Sequence, residues 1–448
     1  MKHFSLSLTE GPIGKQLLSF TIPLILGNLL QQLYNLADTW VVGRFIGEGA
    51  LAAVGSSYTL MTFLTSILLG LCMGSSVYFS IQYGRQDPDR LRNGIFQSFL
   101  LIGGLTLLLN LTVYLALDGI LVLLQIPPDI LGLTKEYLQW IFAGMVATFL
   151  YNFFANLLRS VGDSATPLVF LGISVVLNIG LDILFVVPLG MGVRGAAMAT
   201  VIAQFVAGLG LFLYTWFAFP ALRVQKRHRY WDRAALKNLL NLSLFTCLQQ
   251  SVMNFGILMV QGLVNSFGTA VMAAFAVAVK IDTIAYMPVQ DFGNAFSTFV
   301  AQNYGAEKRD RIRTGTHWAV FWVVLFCLVI GGLVCLLAPR LMAAFVGGDA
   351  AEVIAIGTGY LRIEAAFYLG IGILFLLYGY FRAVNRPAVS VVLTICSLGT
   401  RVLLAYTLSA LPALGVNGIW IAIPIGWFLA DATGILLWRR EGKSAKTP

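Results

Sequence analysis

The sequence predicts an all-α integral membrane fold: twelve transmembrane helices in two six-helix lobes, related as a parallel repeat. Three observations predict it. The 448 residues are 58% hydrophobic and only 11% charged, less than half the roughly 25% charge of a soluble domain. Twelve apolar windows follow one another with short loops, each long enough for the ~20 residues that cross a bilayer. One series of motifs also occurs twice in the same order. This composition cannot supply the surface of a cytosolic or secreted globular protein, nor is it that of a disordered chain. Long apolar runs with little alternation favour helices over a transmembrane β-barrel.

The windows fall at 16–42, 50–81, 95–117, 134–157, 167–187, 193–217, 238–265, 270–302, 316–338, 354–380, 388–411 and 416–438. Lys and Arg set the orientation, because cytoplasmic loops carry the excess. Of 29 such residues, Arg44, Lys135, Arg194 and Arg340 fall on one side. Lys280, Arg362 and Arg401 lie in or at the edge of spans, and the other 22 lie on the side of the termini. Both termini are therefore expected inside a plasma (inner) membrane, and the number of spans even. The net charge of +9 reflects this bias and not a nucleic-acid partner.

The second window ends IQYGRQDPDRLRNG (81–94) and the eighth QNYGAEKRDRIRTG (302–315). Tyr83, Gly84, Asp89, Arg90, Arg92 and Gly94 match Tyr304, Gly305, Asp310, Arg311, Arg313 and Gly315 at an offset of 221. Gly192, Val193 and Gly195 match Gly415, Val416 and Gly418 at 223, as Arg159 matches Arg382. Six spans per copy is an even number, so the copies share one orientation, as in several secondary transporters. The expected division is a first lobe at 1–217, a basic cytoplasmic linker at 218–237 and a second lobe at 238–448.

Some patterns carry little. Cys72, Cys247, Cys327, Cys335 and Cys396 all sit in apolar runs and read as packing residues. His3, His228 and His317 have no metal-ligand spacing. Gly190, Gly192 and Gly195 form G-x-G-x-x-G in an outside loop, with no acid about 20 residues on, so they read as a tight turn. No nucleotide-binding G-x-x-x-x-G-K-[ST] occurs. Neither an enzyme nor an organic cofactor is expected. An intramembrane transferase would need clustered acids such as D-D-x-x-D, which are missing from the sequence.

Ionisable groups at membrane depth are costly and mark function. Asp38 lies late in the first window. Asn178 and Asp182, four residues apart, share one face of the fifth span, and Thr200 lies about two turns into the sixth. The directions of these spans place all four at one depth of the first lobe. Two carboxylates, an amide and a hydroxyl make an oxygen-rich cluster suited to a proton or a hard cation such as Na⁺. The second copy does not repeat it: Arg401 stands at the place of Asn178, Ala405 at that of Asp182 and Met259 at that of Asp38. A substrate cavity is expected from Gln250, Asn254, Asp291 and Asn294, with Tyr34, Phe153 and Met287 as apolar lining. Lys280 and Asp282 are grouped with Asp291, Asp431 is a partner candidate for Arg401, and Arg362 and Glu364 read as interfacial.

PLILGNLLQQLYNLADTWVVGRFIGEGALAAVG (23–55), RSVGDSATP (159–167), LNIGLDILFVVPLGMGVRGAAMAT (177–200) and FVAQNYGAEKRDR (299–311) resemble the multidrug and toxic compound extrusion family in order along nearly the whole chain. The resemblance implies a V-shaped cleft between the lobes and alternating access. It implies export of organic cations or amphipathic drugs in exchange for H⁺ or Na⁺, by a monomer. Carried over by position, its cation site corresponds to Asp38, Asn178, Asp182 and Thr200, with Tyr137 as a fifth member and Pro23 as the proline of first-helix bending. Acids that one branch of the family uses in the seventh and tenth helices are matched here only by Glu364, which favours the first lobe for coupling. The alternative within the superfamily is a flippase for lipid-linked precursors, which would need a cationic cavity.

Overall fold

The computed structural model describes residues 7–346 and 350–444. His3, Lys2 and Lys446, used above for spacing and orientation, lie outside them. Fourteen α-helices run in order among the described residues, and no strand occurs there. They are α1 (Ile13–Phe45), α2 (Glu48–Gly84), α3 (Pro88–Leu123), α4 (Pro128–Ala143), α5 (Met145–Ser160), α6 (Ala165–Val186) and α7 (Gly192–Ala218). The second set is α8 (Arg233–Asn265), α9 (Thr269–Gly305), α10 (Arg309–Val346), α11 (Ala351–Ala366), α12 (Tyr368–Ala383), α13 (Pro387–Ser409) and α14 (Val416–Ser444).

Ten helices are long and apolar enough to cross a membrane, and two bent pairs bring the number to twelve. The fourth and tenth windows were expected as single helices; each is broken. α4 meets α5 at 44° and α11 meets α12 at 52°. The breaks fall at Gly144 and Phe367, again 223 residues apart. At the first, a side chain on Gly144 would approach Val201 to 2.6 Å, so only glycine lets α7 come this close. α1 continues through Pro23 without a break. Gly190 and Gly192 have φ of +61° and +59°, which places them in a left-handed turn between α6 and α7.

The chain forms two compact units. One holds Ser19–Cys247; the other holds Thr9–Leu18 and the chain from Leu248 on. The division therefore falls inside α8, beyond the basic segment. Helices α1 and α8 each begin in one unit and continue in the other.

The duplicated charged motif has a structural task here. In the second unit, Lys308 donates to the Thr9 carbonyl at 2.9 Å, and Arg311 donates to the Gly11 and Glu10 carbonyls, both at 2.9 Å. These bonds fasten the segment that enters α1. In the first unit, Arg92 donates to the Ala221 carbonyl at 2.8 Å, and Asn93 donates to the His228 and Tyr230 carbonyls at 3.0 and 2.8 Å. These fasten the segment that enters α8. His228 is buried there against Asp89 at 2.9 Å. Each copy of the motif thus anchors the approach to a helix that then leaves its unit.

Helices pack closely through small residues, as expected where lipid gives no hydrophobic drive between them. A side chain on Gly379 of α12 would meet the Gly293 carbonyl of α9 at 2.5 Å, whereas one on Gly399 meets nothing within 4 Å. Gly379→Ala should therefore cost about 1–3 kcal/mol through overpacking. The measurement is the apparent melting temperature of detergent-purified protein, with Gly399→Ala expected to leave it unchanged or slightly raised.

Candidate functional site

The first unit gathers the expected oxygen cluster from four helices. Tyr34 and Asp38 stand one turn apart on α1, and Asn178 and Asp182 one turn apart on α6. Thr200 comes from α7 and Tyr137 from α4. Asp182 and Asn178 are fully buried, and Asp38, Thr200 and Tyr137 nearly so. The Asp38 and Asp182 side chains meet one another directly, within hydrogen-bonding reach. With its amide turned to suit both neighbours, Asn178 donates to Asp182 Oδ2 at 3.0 Å and accepts from the Thr200 N–H at 3.2 Å. Tyr34 donates to Thr200 Oγ1 at 3.0 Å. The Tyr137 ring lies close enough for its hydroxyl to feel both carboxylates. Asp38 and Asp182 each keep one oxygen, Oδ1, without a hydrogen-bond partner.

One turn further along each helix, the chemistry changes. Val41 and Val42 follow Asp38, Val186 follows Asp182, and Ala196 and Ala197 precede Thr200. These residues pack with Val193, Ala50 and Tyr137 into one buried apolar cluster, backed by Leu133, Met61 and Ile141. The cluster closes the end of the site that faces the loops at 46–47 and 187–191. On the opposite side the neighbours are polar. Ser174 donates to the Ala203 carbonyl at 3.0 Å, and Thr148 donates to Gln204 at 2.6 Å. The carboxylate pair thus has an apolar seal at one end and a polar ladder at the other.

Of the expected site residues, Asp38, Asn178, Asp182, Thr200 and Tyr137 come together. Tyr34, expected in the substrate cavity, belongs to this cluster instead. Its spacing of four from Asp38 was the signal available in the sequence. Phe153 is not a cavity residue: it is 1% exposed and packs edge-on against Phe79, Phe99 and Phe154 at 5.3–6.1 Å. Met287 is also buried. Asp291 is buried on α9, and Asn294 accepts from the buried Arg382 at 3.0 Å. Gln250 and Asn254 are partly exposed on α8.

The second unit holds an acidic cluster that sequence reasoning missed. Asp282 of α9 accepts from Tyr368 of α12 at 2.6 Å and from Tyr360 of α11 at 3.3 Å. Glu364, expected at the interface, is 0% exposed, with no hydrogen-bond partner on either oxygen. An α-helix brings residue 364 to the face of residue 360, one turn on, and that face points inward. Asp282, Glu364, Tyr360 and Arg401 line one cavity of about 90 Å³. Arg401 therefore faces Asp282 and Glu364 and not Asp431. Asp282 is also parted from Lys280, which is exposed. Arg362 is exposed as expected.

This second cluster sits where the repeat predicts a counterpart. The offset of 223 lays Tyr360 on Tyr137, Arg401 on Asn178 and Ile423 on Thr200. The carboxylates do not superpose. Glu364 takes the place of Ile141, and Asp282, at the 221 offset, the place of Met61. Both of those are apolar residues of the seal in the first unit. The tyrosine is common to the two units, while acid and apolar positions have changed places.

Comparison with known proteins decides the family. The MatE family profile matches residues 23–184 and 243–407, so it fits the chain twice in succession. The chain belongs to the MatE family. It is 31% identical over 434 residues to "Probable multidrug resistance protein YpnP" of Bacillus subtilis (strain 168), covering 96% of each chain. It is 24% identical over 440 residues to "FAD transporter" of Shewanella oneidensis, covering 93% of this chain and 92% of that one. Among solved structures, an outward-facing multidrug resistance MATE family transporter of the MOP superfamily matches with a TM-score of 0.92 and 25% identity, over 99% of both chains. This MatE protein is thus a multi-pass membrane protein whose relatives are transporters. The double match, with starts 220 and ends 223 residues apart, agrees with the duplicated motifs.

In the second unit, Tyr368→Phe removes the shorter of the two bonds to buried Asp282. Leaving a buried acceptor short of a donor costs about 1–3 kcal/mol. The expected outcome is a clearly lowered melting temperature. Tyr406→Phe, at an exposed position on α13, serves as the control that stays level.

Proposed function

We propose that this MatE protein is a secondary active multidrug efflux antiporter, exporting organic cations or amphipathic drugs against an inward flow of protons. It works as a monomer by alternating access in a plasma (inner) membrane, with both termini cytoplasmic. The observation that carries the proposal is the direct meeting of Asp38 and Asp182 inside a buried pocket of the first unit.

The chemistry follows from the oxygens left free. Two ionised carboxylates in contact repel in a low-dielectric site, and neither can donate to the other. One proton shared between them removes the repulsion and makes a hydrogen bond. A Na⁺ ion meets a poorer site, since a hard cation gathers many oxygens. The Asn178 oxygen already accepts from the Thr200 N–H and the Thr200 hydroxyl from Tyr34, and the buried carboxylate oxygens still without a bond are the two Oδ1 atoms. The residues thus fit a proton better than a bare cation. Proton arrival and departure would make and break a contact between α1 and α6. That bias on helix packing is what a coupling site has to provide. The polar ladder of Ser174, Thr148 and Gln204 offers a route on the side away from the apolar seal.

A flippase for lipid-linked precursors draws less support. Such a substrate carries a pyrophosphate and calls for a cationic cavity. The cavity in the second unit sets two carboxylates against one guanidinium.

In proteoliposomes, an acidic gradient on the side that receives drug should drive export of a cationic dye, and collapse of that gradient should stop it. A Na⁺ gradient at uniform pH should give at most a small fraction of the rate. Equal rates under the two gradients would contradict proton coupling. Asp38→Asn and Asp182→Asn should each reduce gradient-driven export at least tenfold with protein levels in the membrane maintained. Normal export in either variant removes the pair from the mechanism.

A further inference from the structure

The segment between the repeats does more than join them. After α7 the chain makes two short 3₁₀ turns, Pro220–Leu222 and Lys226–His228, and doubles back across the start of α3. Arg92, Asn93 and Asp89 hold it there through the bonds described above. Phe96 meets Trp231 at 6.3 Å between ring centres. Beneath this strap the helices do not close up. A groove of about 320 Å³ opens between α3, α5, α7 and the strap, a volume at the small end of ligand sites.

The two ends of the groove differ in chemistry. Its walls are Phe96, Phe99, Leu100, Phe154, Leu157 and Phe212, with Trp216. Leu100 and Trp216 are 44% and 40% exposed. Its rim on the strap side carries Arg223 and Arg229. Arg223 is committed: it donates to the Trp216 and Phe217 carbonyls and lies over the Trp216 ring at 5.8 Å. Arg229 is exposed, and its guanidinium has no partner among the described residues. Lys226, Arg227 and Arg233 stand beside it on the same short stretch, all exposed. The groove lies within the last two turns of α7 and two to three turns from the start of α3, at the basic ends of the spans. Exposed Trp216, Trp231 and Tyr230 surround it, and such rings favour the membrane–water boundary.

We propose that this groove is a binding site for an anionic phospholipid of the cytoplasmic leaflet. One acyl chain lies along Phe99, Leu100, Phe154 and Phe212, and the phosphate meets Arg229 with Lys226 nearby. A zwitterionic lipid fills the apolar part equally well but leaves the basic rim without a matching net charge. A soluble anion matches the rim and leaves the walls uncovered. Only an amphipathic anion satisfies both. The site lies wholly within the first unit, and its argument is independent of the transport reading above.

The test is native mass spectrometry of the delipidated full-length protein, titrated with dioleoyl phosphatidylglycerol or dioleoyl phosphatidylcholine. Phosphatidylglycerol should be retained at least fivefold more. Lys226→Glu with Arg229→Glu should bring its retention down to that of phosphatidylcholine. Arg439→Glu with Arg440→Glu, the same charge change at the end of α14, should not. Equal retention of the two lipids by the unmodified protein overturns the proposal, and so does an equal loss in the α14 variant. A second reading locates the chain without stressing the fold. Phosphatidylglycerol brominated on its acyl chain should quench tryptophan fluorescence more than its phosphatidylcholine counterpart, and Trp216→Phe should remove most of that difference. Persistence of the full difference in Trp216→Phe also overturns the site.

Discussion

A carboxylate inside a membrane protein must be answered by its surroundings, because the bilayer offers no water to do so. The meeting of Asp38 and Asp182 is where that constraint bears most heavily. Two such groups in one pocket oblige α1, α6 and α7 to present polar atoms at the same depth. They also oblige the apolar residues one turn away to close the pocket. Asn178, Thr200 and Tyr34 supply the bonds, and Val41, Val42, Val186, Ala196 and Ala197 supply the closure. The small side chains on α7 serve both ends, since they let it pack against α6 while Thr200 bonds Asn178 and Tyr34 beside the acids.

The second copy of the repeat solves the same problem with different parts. Its acids come from α9 and α11, its donors are Tyr360 and Tyr368, and its counter-charge is Arg401 on the wall of the same cavity. Tyr137 and Tyr360 remain equivalent, each seven residues before the break in its span. A broken span turns the helix so that residues before and after the bend face one pocket from two directions. Tyr360 and Tyr368, on either side of Phe367, show the result, since both reach Asp282. A guanidinium on the same cavity wall offsets part of the acids' charge with a tethered cation, whereas the pair in the first unit has no such neighbour among the described residues. Duplication thus preserved the frame of the two pockets and let their charges diverge.

The charged ends of the spans follow another logic. At the water boundary an arginine is cheap to keep, so its bonds can be given to fastening the chain. The two copies of the duplicated motif do this at the entries to α1 and α8, the two helices that pass from one unit to the other. The strap so formed in the first unit also carries the free basic residues beside an apolar groove. One set of bonds therefore gives both the anchor and the amphipathic rim.

Hydropathy, charge and motif spacing showed much by themselves: the apolar crossings, the duplication, and the acids of α1 and α6 with Asn178 and Thr200. These are one-dimensional facts, set by the cost of unpaired polar groups in lipid and by helical spacing. The tertiary structure decided the rest. It turned the face of α11 inward, burying Glu364, set Phe153 in an aromatic core, moved Tyr34 from cavity to cluster and put Arg401 on the cavity of Asp282 and Glu364, which Asp431 does not line. Each depends on the rotation of a helix about its axis and on the bends at Gly144 and Phe367. Nearly every face of these helices is apolar, whether it meets lipid or protein, so hydropathy carries little trace of which way a helix is turned.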